Sequence, residues 1–182
     1  MMMEDLLQFR KDDSGLSPAF FLTDTVQDIV SSHLDAIEDL ARSSKKVARI
    51  CVFEDSSSLL QAMLIAQHRG MDSRPRVLTK PKLFMPLRGQ LVLLKVNMNG
   101  DVLSRELLAP GRNVMSYVKP KQPYIDLPVD EVTCHLEVTL GPHDRVGDRN
   151  FPPVGWDEGE SSRAQWREEQ IRLALEDERS VP

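Results

Sequence analysis

Four closely spaced cations are the first candidates for chemistry in this sequence: Arg74, Arg76, Lys80 and Lys82. Guanidinium and ammonium groups donate charge-assisted hydrogen bonds to phosphate and carboxylate groups, so this segment could bind a small anion. The alternative is that the long side chains extend into solvent or pair with acids at an interface. The sequence favours this alternative, because no glycine-rich phosphate loop accompanies the cations.

Metal binding would draw on the histidines, but these are scattered along the chain. They are His33, His68, His135 and His143. His135 falls on the polar side of an alternating strand, so we expect it to point away from the apolar face that fills a barrel. Isolated histidines on polar faces are usually solvated or hydrogen-bonded. We therefore expect no histidine-based metal site.

Nucleophilic and carboxylate catalysis also lack a clear motif. Cys51 and Cys134 lie in apolar runs without a CxxC pair, which predicts two buried thiols in a reducing compartment and excludes a zinc ribbon. No G-x-S-x-G elbow is present. Asp126 and Asp130 flank Pro128, where we expect a turn with two solvated carboxylates instead of an acid–base pair.

The elements that would position these residues are one helix and many short strands. Apolar residues at helical spacing predict a helix over residues 26–41, with Asp24 and Gln27 as its capping box. Short apolar or alternating segments broken by Gly and Pro turns follow over residues 47–140 and predict a barrel or sandwich.

The terminal segments differ from this barrel in composition. Residues 1–22 show no clear period and are expected to form a loose or docking arm, and residues 23–158 to form the barrel domain with its leading helix. Residues 159–182 are predicted to be a charged helix and tail with sparse apolar positions. Most of that helix must therefore face water or a partner.

Length and charge restrict the classes of function. The 182 residues fit one domain, and 23 basic against 28 acidic residues give a net charge of −5, which disfavours direct nucleic-acid binding. No apolar run approaches a membrane span. The first residues are acidic and lack an apolar stretch, unlike secretory or mitochondrial signals. We expect an intracellular protein, cytoplasmic or organellar.

Seven stretches in order carry a resemblance to a known family: residues 46–51, 61–66, 80–84, 87–91, 99–103, 136–144 and 150–156. Together they resemble the WbuC-type family of cupin-fold metalloproteins, from about residue 23 to about residue 160. The resemblance implies a mainly β fold. This is a cupin/RmlC-like jelly roll, or double-stranded β-helix, with one N-terminal and one C-terminal helix.

The metal ligands of that family are missing here. Where the resemblance implies two histidines after a proline, a glutamate and a further histidine, the sequence has Arg76, Leu78, Lys82 and Tyr124. Arginine and leucine cannot ligate, and a cation at position 82 would repel a metal ion. Like charges ~4 Å apart cost roughly 4 kcal/mol at an effective dielectric of ~20. We expect no metal and no other cofactor.

Two functions follow from this loss. The first is a non-catalytic pseudoenzyme that serves as a structural or accessory subunit of a larger protein assembly, with a homodimer left open. Trp166 beside Arg163 and Arg167 is the combination that interface cores favour, so we predict a partner interface there.

The alternative function is a metal-free binder or enzyme for a small anionic or sugar-like ligand. The resemblance places the four cations at the former pocket mouth, with Tyr124 opposite, so this ligand would contact Arg76, Lys82 and Tyr124. A metalloenzyme with relocated ligands is a third and weaker hypothesis.

Overall fold

The computed structural model describes residues 6–12, 17–23, 28–142, 149–150 and 159–179, the pair 149–150 by backbone only. The elements are β1 (Arg10–Asp12), β2 (Ala19–Phe21), α1 (Ser31–Ser44), β3 (Val47–Cys51), β4 (Leu60–His68), β5 (Arg76–Val77), β6 (Lys82–Arg88), β7 (Leu91–Val96), β8 (Val102–Leu108), β9 (Ser116–Val118), β10 (Tyr124–Pro128), β11 (Val132–Leu140), β12 (Arg149–Asn150) and α2 (Glu160–Arg179).

These strands form two sheets that face each other. The larger has the order β1-β2-β3-β4-β11-β6-β9, and the smaller has the order β12-β5-β10-β7-β8. Neighbouring strands pair antiparallel, except for β2 and β3, which are parallel. Phe84 of the larger sheet and Tyr124 of the smaller one share a core cluster between the sheets. The fold is a mainly β jelly roll of the cupin type with a helix towards each end, as the sequence predicts.

Helix α1 covers part of the outer face of the seven-stranded sheet, and the N-terminal strands β1 and β2 extend the edge of that sheet. Strand β2 pairs with β3 and so gains partners for its backbone. Leu6, Phe9 and Phe20 are buried in one core cluster with Ile37 of α1 and Leu64 of β4. The loose arm expected over residues 1–22 is therefore, in its described parts, built into the sheet and its core.

Helix α1 begins later than the sequence predicts. It starts at Ser31, because the backbone over residues 28–30 is not helical, whereas Asp24 and Gln27 lie outside the described residues. His33 has the role that we assigned to that capping pair: its Nδ1 accepts a hydrogen bond from the backbone N–H of Val30 at 3.2 Å. Its side chain is buried rather than solvated.

Helix α2 covers the outer face of the five-stranded sheet. Ile171 and Ala174 join the apolar cluster of β7, β8 and β10, with Trp166 packed against it. The Asp72 carboxylate accepts hydrogen bonds from Arg163 at 3.1 Å and from Arg167 at 2.6 Å. A helix with few apolar residues is thus held by charged contacts at one end and by a narrow apolar contact further along. Neither α1 nor α2 combines the length and the apolar character that crossing a bilayer requires.

We predict that Asp72→Asn weakens the attachment of α2. The substitution leaves two half-buried guanidinium groups without their counter-charge, so the free energy of unfolding should fall by about 1–3 kcal/mol. Urea denaturation followed by circular dichroism measures it. Asp39→Asn, which removes a more exposed ion pair with Arg42 on α1, is the matched control and should leave stability unchanged. Equal effects of the two substitutions would contradict this account of α2.

Candidate functional site

The candidate site is a buried charged cluster between the two sheets. Strand β6 supplies Lys82 and β11 supplies Glu137, both from the larger sheet. Strand β5 supplies Arg76, and β10 supplies Tyr124 and Asp126, from the smaller sheet. Tyr124 lies opposite Arg76 in the β10–β5 register, and Glu137 lies opposite Phe84, two residues from Lys82. Residues two apart share one face of a strand, so the pairing itself brings these groups together.

Lys82 and Glu137 form the central ion pair. Lys82 Nζ donates to Glu137 Oε2 at 2.5 Å, and the two side chains are 6% and 1% exposed. Burial opposes both charges, but the attraction between the two groups outweighs it. The pKa of Lys82 is therefore raised above its ordinary value, and the pKa of Glu137 is held well below its own. Both groups are charged at neutral pH.

Arg76 and Asp126 form a second ion pair in the smaller sheet. Arg76 Nη2 lies 3.3 Å from Asp126 Oδ1, whose side chain is 2% exposed. The charge of Asp126 raises the pKa of Arg76 more than burial lowers it. The cluster thus balances two cations with two carboxylates, which is how buried charges are tolerated.

His135 completes the cluster on β11. Its ring is fully buried, with Nε2 3.4 Å from Glu137 Oε1 and its centroid 5.8 Å from that of Phe84. The prediction that His135 points away from the barrel interior is wrong. The reason is that both faces of β11 are covered. Its apolar face, with Cys134, packs under α1, and its polar face lines the space between the sheets.

Aromatic rings surround the Lys82 ammonium. Lys82 Nζ lies 5.6 Å from the Phe84 ring centroid and 5.8 Å from that of Tyr124, within cation–π range. The two rings contact each other edge to face at 5.5 Å. Burial raises the pKa of the Tyr124 phenol more than the two nearby cations lower it. Tyr124 is therefore neutral at physiological pH.

Three polar atoms of the cluster make no hydrogen bond with any other described residue. They are Tyr124 Oη, Asp126 Oδ1 and His135 Nδ1. All three belong to side chains that are no more than 2% exposed. Buried polar atoms normally have a hydrogen-bond partner. Three exceptions in one cluster therefore distinguish it from an ordinary buried ionic network.

Only part of the predicted cationic set meets here. Arg76 and Lys82 join Tyr124 inside the barrel, whereas Arg74 is exposed and pairs with Asp72. Lys80 is half-buried and donates to the backbone carbonyl of Pro142. The expectation that the cations reach out to solvent or an interface is wrong for Lys82, which is buried, and Arg76 is only partly exposed, because a carboxylate on the neighbouring strand of the same sheet pairs with each of them.

The structure also shows where Leu78, Asp126 and Asp130 lie. Leu78 is half-buried against the Phe84 cluster. Asp126 is buried and ion-paired, so its expected place in a solvated turn is wrong, whereas Asp130 is exposed and accepts a hydrogen bond from the backbone N–H of Gln90. His143 lies outside the described residues.

The predicted interface residues have contacts within their own chain. Trp166 is half-buried against the apolar cluster under α2, and Arg163 and Arg167 bind Asp72. Whether they also meet a partner stays a prediction.

The two cysteines are buried free thiols, as predicted. Burial raises the pKa of Cys51 to about 11 and also raises the pKa of Cys134. A thiol with a raised pKa carries little thiolate at neutral pH. Neither residue is therefore suited to nucleophilic catalysis.

A metal ion of the kind that the family resemblance implies does not fit this cluster as it stands. Asp126, His135 and Glu137 can each offer one ligand atom, and these atoms lie within 4.8 Å of one another. However, Lys82 binds one oxygen of Glu137, and Arg76 lies beside Oδ1 of Asp126. A divalent ion would face two fixed positive charges, each costing at least about 4 kcal/mol per unit charge pair at ~4 Å.

Sequence reasoning missed Glu137 and misjudged His135 and Asp126. The available signal was the polar side of the alternating strand: Thr133, His135 and Glu137 occupy every second position of β11 and are all buried. On β10, Tyr124 and Asp126 have the same spacing. Polar residues at every second position of two strands, one in each sheet, are the pattern that predicts a charged barrel interior.

Comparison with known proteins gives only likenesses of fold. No protein-family model and no curated protein matches the chain. Among solved structures, the DMSP lyase DddQ from Ruegeria pomeroyi DSS-3 is 17% identical with a TM-score of 0.47, over 76% of this chain and 61% of that one. A cupin superfamily protein from Desulfitobacterium hafniense DCB-2 is 15% identical with a TM-score of 0.40, over 52% of this chain and 77% of that one.

A further match comes from the crystal structures of the DMSP lyases RdDddP and RnDddQII, at 14% identity and a TM-score of 0.40, over 50% of this chain and 43% of that one. This chain therefore spans less than two thirds of the length of either lyase chain that it matches. The structural neighbours include cupin-superfamily proteins and enzymes. Their likeness concerns the fold and carries no activity over to this chain.

We predict that Glu137→Gln destabilises the protein in a pH-dependent way. At neutral pH the variant leaves the Lys82 ammonium buried without its counter-charge, which should cost about 3–5 kcal/mol. The folded-state pKa of Glu137 lies well below the ordinary value of 4.5. The stabilisation from Glu137 is therefore fully present above about pH 4.5 and is lost as the pH falls towards the folded-state pKa.

Urea denaturation of both proteins from pH 7 down to the acid limit of folding measures this difference. The difference in the free energy of unfolding between wild type and Glu137→Gln should become smaller as the pH falls below about 4.5. The matched control is Glu169→Gln, an exposed carboxylate on α2 paired with Arg172, which should behave as wild type at every pH. A difference for Glu137→Gln that stays constant with pH would show that the ion pair is not its cause.

Proposed function

We propose that this chain is a degenerate WbuC-type cupin without catalytic activity that serves, inside the cell, as a structural or accessory subunit of a larger protein assembly. The observation that supports this proposal most directly is an apolar surface on the jelly roll. The charged groups of the barrel interior neutralise one another, so they stabilise the fold without needing a catalytic role.

The apolar surface lies on the outer face of the seven-stranded sheet, beyond the part that α1 covers. Leu60 and Leu140 lie opposite each other in the β4–β11 register and are 60% and 53% exposed. Met85 and Tyr117, on the adjacent strands β6 and β9, are 38% and 47% exposed. We call these four residues the outer apolar face.

Several exposed apolar residues on one side of a sheet indicate a surface that another protein covers. The four side chains come from four neighbouring strands of one sheet and point to the same side. A second folded subunit can bury them together, which is what a stable interface requires. We therefore place the partner subunit on the outer apolar face.

We predict that the chain, tagged and purified gently from its own cells, elutes in one particle with other subunits at fixed stoichiometry. Met85→Glu and Tyr117→Glu should abolish this co-purification, because a charge at the centre of an apolar contact is left desolvated. Both residues are exposed in the isolated chain, so the free energy of unfolding should change by no more than about 0.5 kcal/mol. Native mass spectrometry gives the composition.

Leu103→Glu is the matched control, since Leu103 is 60% exposed but lies on β8 of the other sheet. This variant should keep its partners. Recovery of a lone monomer or a homodimer from the native cells would contradict the subunit role. If the partners still co-purify with both substituted variants, the proposal that they bind the outer apolar face would be wrong.

The second candidate function is metal-free binding of a small anionic or sugar-like ligand in the barrel. The observation in its favour is the set of three buried atoms without a hydrogen bond on Tyr124, Asp126 and His135, of which only Asp126 Oδ1 has an ion-pair contact. With Arg76 and Lys82 beside them, they offer hydrogen-bond donors and acceptors that suit hydroxyl and carboxylate groups.

A thermal-shift screen against phosphosugars, nucleotide sugars and small carboxylic acids tests this second function. A ligand present at 100 times its dissociation constant should add about 2.7 kcal/mol of stability. Tyr124→Phe should lose the response while the unliganded variant stays at least as stable as wild type, because it removes a buried hydroxyl without a partner. Tyr117→Phe, an exposed tyrosine, should keep the response. A wild-type protein that no compound stabilises would rule out this binding role for the classes tested.

A further inference from the structure

Three side chains within the barrel carry donor atoms of the kinds that bind metal ions. Asp126, His135 and Glu137 place carboxylate oxygen and imidazole nitrogen atoms within 4.8 Å of one another. These are the ligand types that divalent transition metals take in proteins. All three side chains are no more than 2% exposed, and Asp126 Oδ1 and His135 Nδ1 have no hydrogen-bond partner among the described residues. His135 thus has a donor atom to spare, whereas Asp126 Oδ1 has only its ion-pair contact with Arg76.

A cation already lies beside this donor set. Lys82 Nζ contacts Glu137 Oε2 at 2.5 Å, and the rings of Phe84 and Tyr124 stand 5.6 and 5.8 Å away. The ammonium group is therefore enclosed by one carboxylate and two ring faces, and its position is defined. Arg76 provides a second cation, directed at Asp126. The positive charge that a metal would supply comes from the chain itself.

We propose that the Lys82 ammonium is a built-in substitute for a divalent cation. When residue 82 is made neutral, Asp126, His135 and Glu137 should bind a divalent transition metal. At the level of the sequence, Lys82 was expected to repel a metal from a site that had lost its ligands. The structure instead places Lys82 directly on Glu137, one of three residues able to ligate, and Lys82 is the more closely bound of the two cations that oppose a metal there. This inference does not depend on the proposed subunit role.

The test uses Co²⁺, whose visible absorption reports its coordination, with titration calorimetry for stoichiometry and affinity. Lys82→Met removes the charge at similar length, and Lys82→Gln also keeps a hydrogen bond to Glu137. Both variants should bind one Co²⁺ per chain at least about 100-fold more tightly than wild type, as expected when a buried group that competes for a ligand is removed. Lys80→Met, which neutralises a nearby lysine outside the cluster, should bind no more tightly than wild type.

A second readout covers the case in which the variants do not fold alone. Refolding of Lys82→Met with and without Co²⁺ should then give folded protein only with the metal, because the ion supplies the missing charge. Adding Glu137→Gln to Lys82→Met should remove the tight binding. The proposal is overturned if folded Lys82→Met binds Co²⁺ no better than wild type, or if Co²⁺ fails to restore folding. It is also overturned if Lys80→Met gains the same affinity.

Discussion

Inside the barrel, the contact between the Lys82 ammonium and the Glu137 carboxylate constrains everything around it. Both charges are removed from water between two sheets, so each is tolerated only because the other is within hydrogen-bond distance. The strand pairing that sets this distance is the β6–β11 register, in which Lys82 and Glu137 lie two positions apart on one face. A one-residue slip of either strand would move its member of the pair to the opposite face of the sheet.

The same constraint explains the groups next to the pair. Arg76 and Asp126 bring equal and opposite charges from the smaller sheet, so the interior as a whole stays balanced. Phe84 and Tyr124 supply aromatic surface that favours a nearby cation more than aliphatic side chains would. The jelly roll therefore has a polar centre whose positive and negative charges are both provided by the chain.

The outer layers show how differently the two sheets are covered. Helix α1 covers its part of the larger sheet with apolar side chains such as Ile37, which share a core cluster with Phe20 of the edge strand β2. Helix α2 covers the smaller sheet with few apolar residues and depends more on Asp72 and its two arginines. Beyond α1, the larger sheet exposes its outer apolar face. Because α1 does not cover it, the outer apolar face is the surface that we propose a partner contacts.

Local patterns in the chain are enough to predict a mainly β barrel or sandwich and much of the order of its elements. The alternation of Val132–Leu140 predicts a strand, the spacing of residues 26–41 predicts a helix in that region, and the apolar runs at Cys51 and Cys134 predict buried thiols. These features depend on local periodicity, which the chain carries in each segment.

What the barrel interior contains depends instead on how the two sheets come together. Periodicity divides β11 into two faces but does not say which one meets the other sheet, and here both are buried, so His135 and Glu137 face inwards while Cys134 packs under α1. The partners of Lys82 and Arg76 come from strands distant in sequence. A charged side chain can pair with another charge, bind a ligand or contact solvent, and its neighbours on other strands determine which of these it does. The composition of the site therefore could not be predicted before the strand pairing was known.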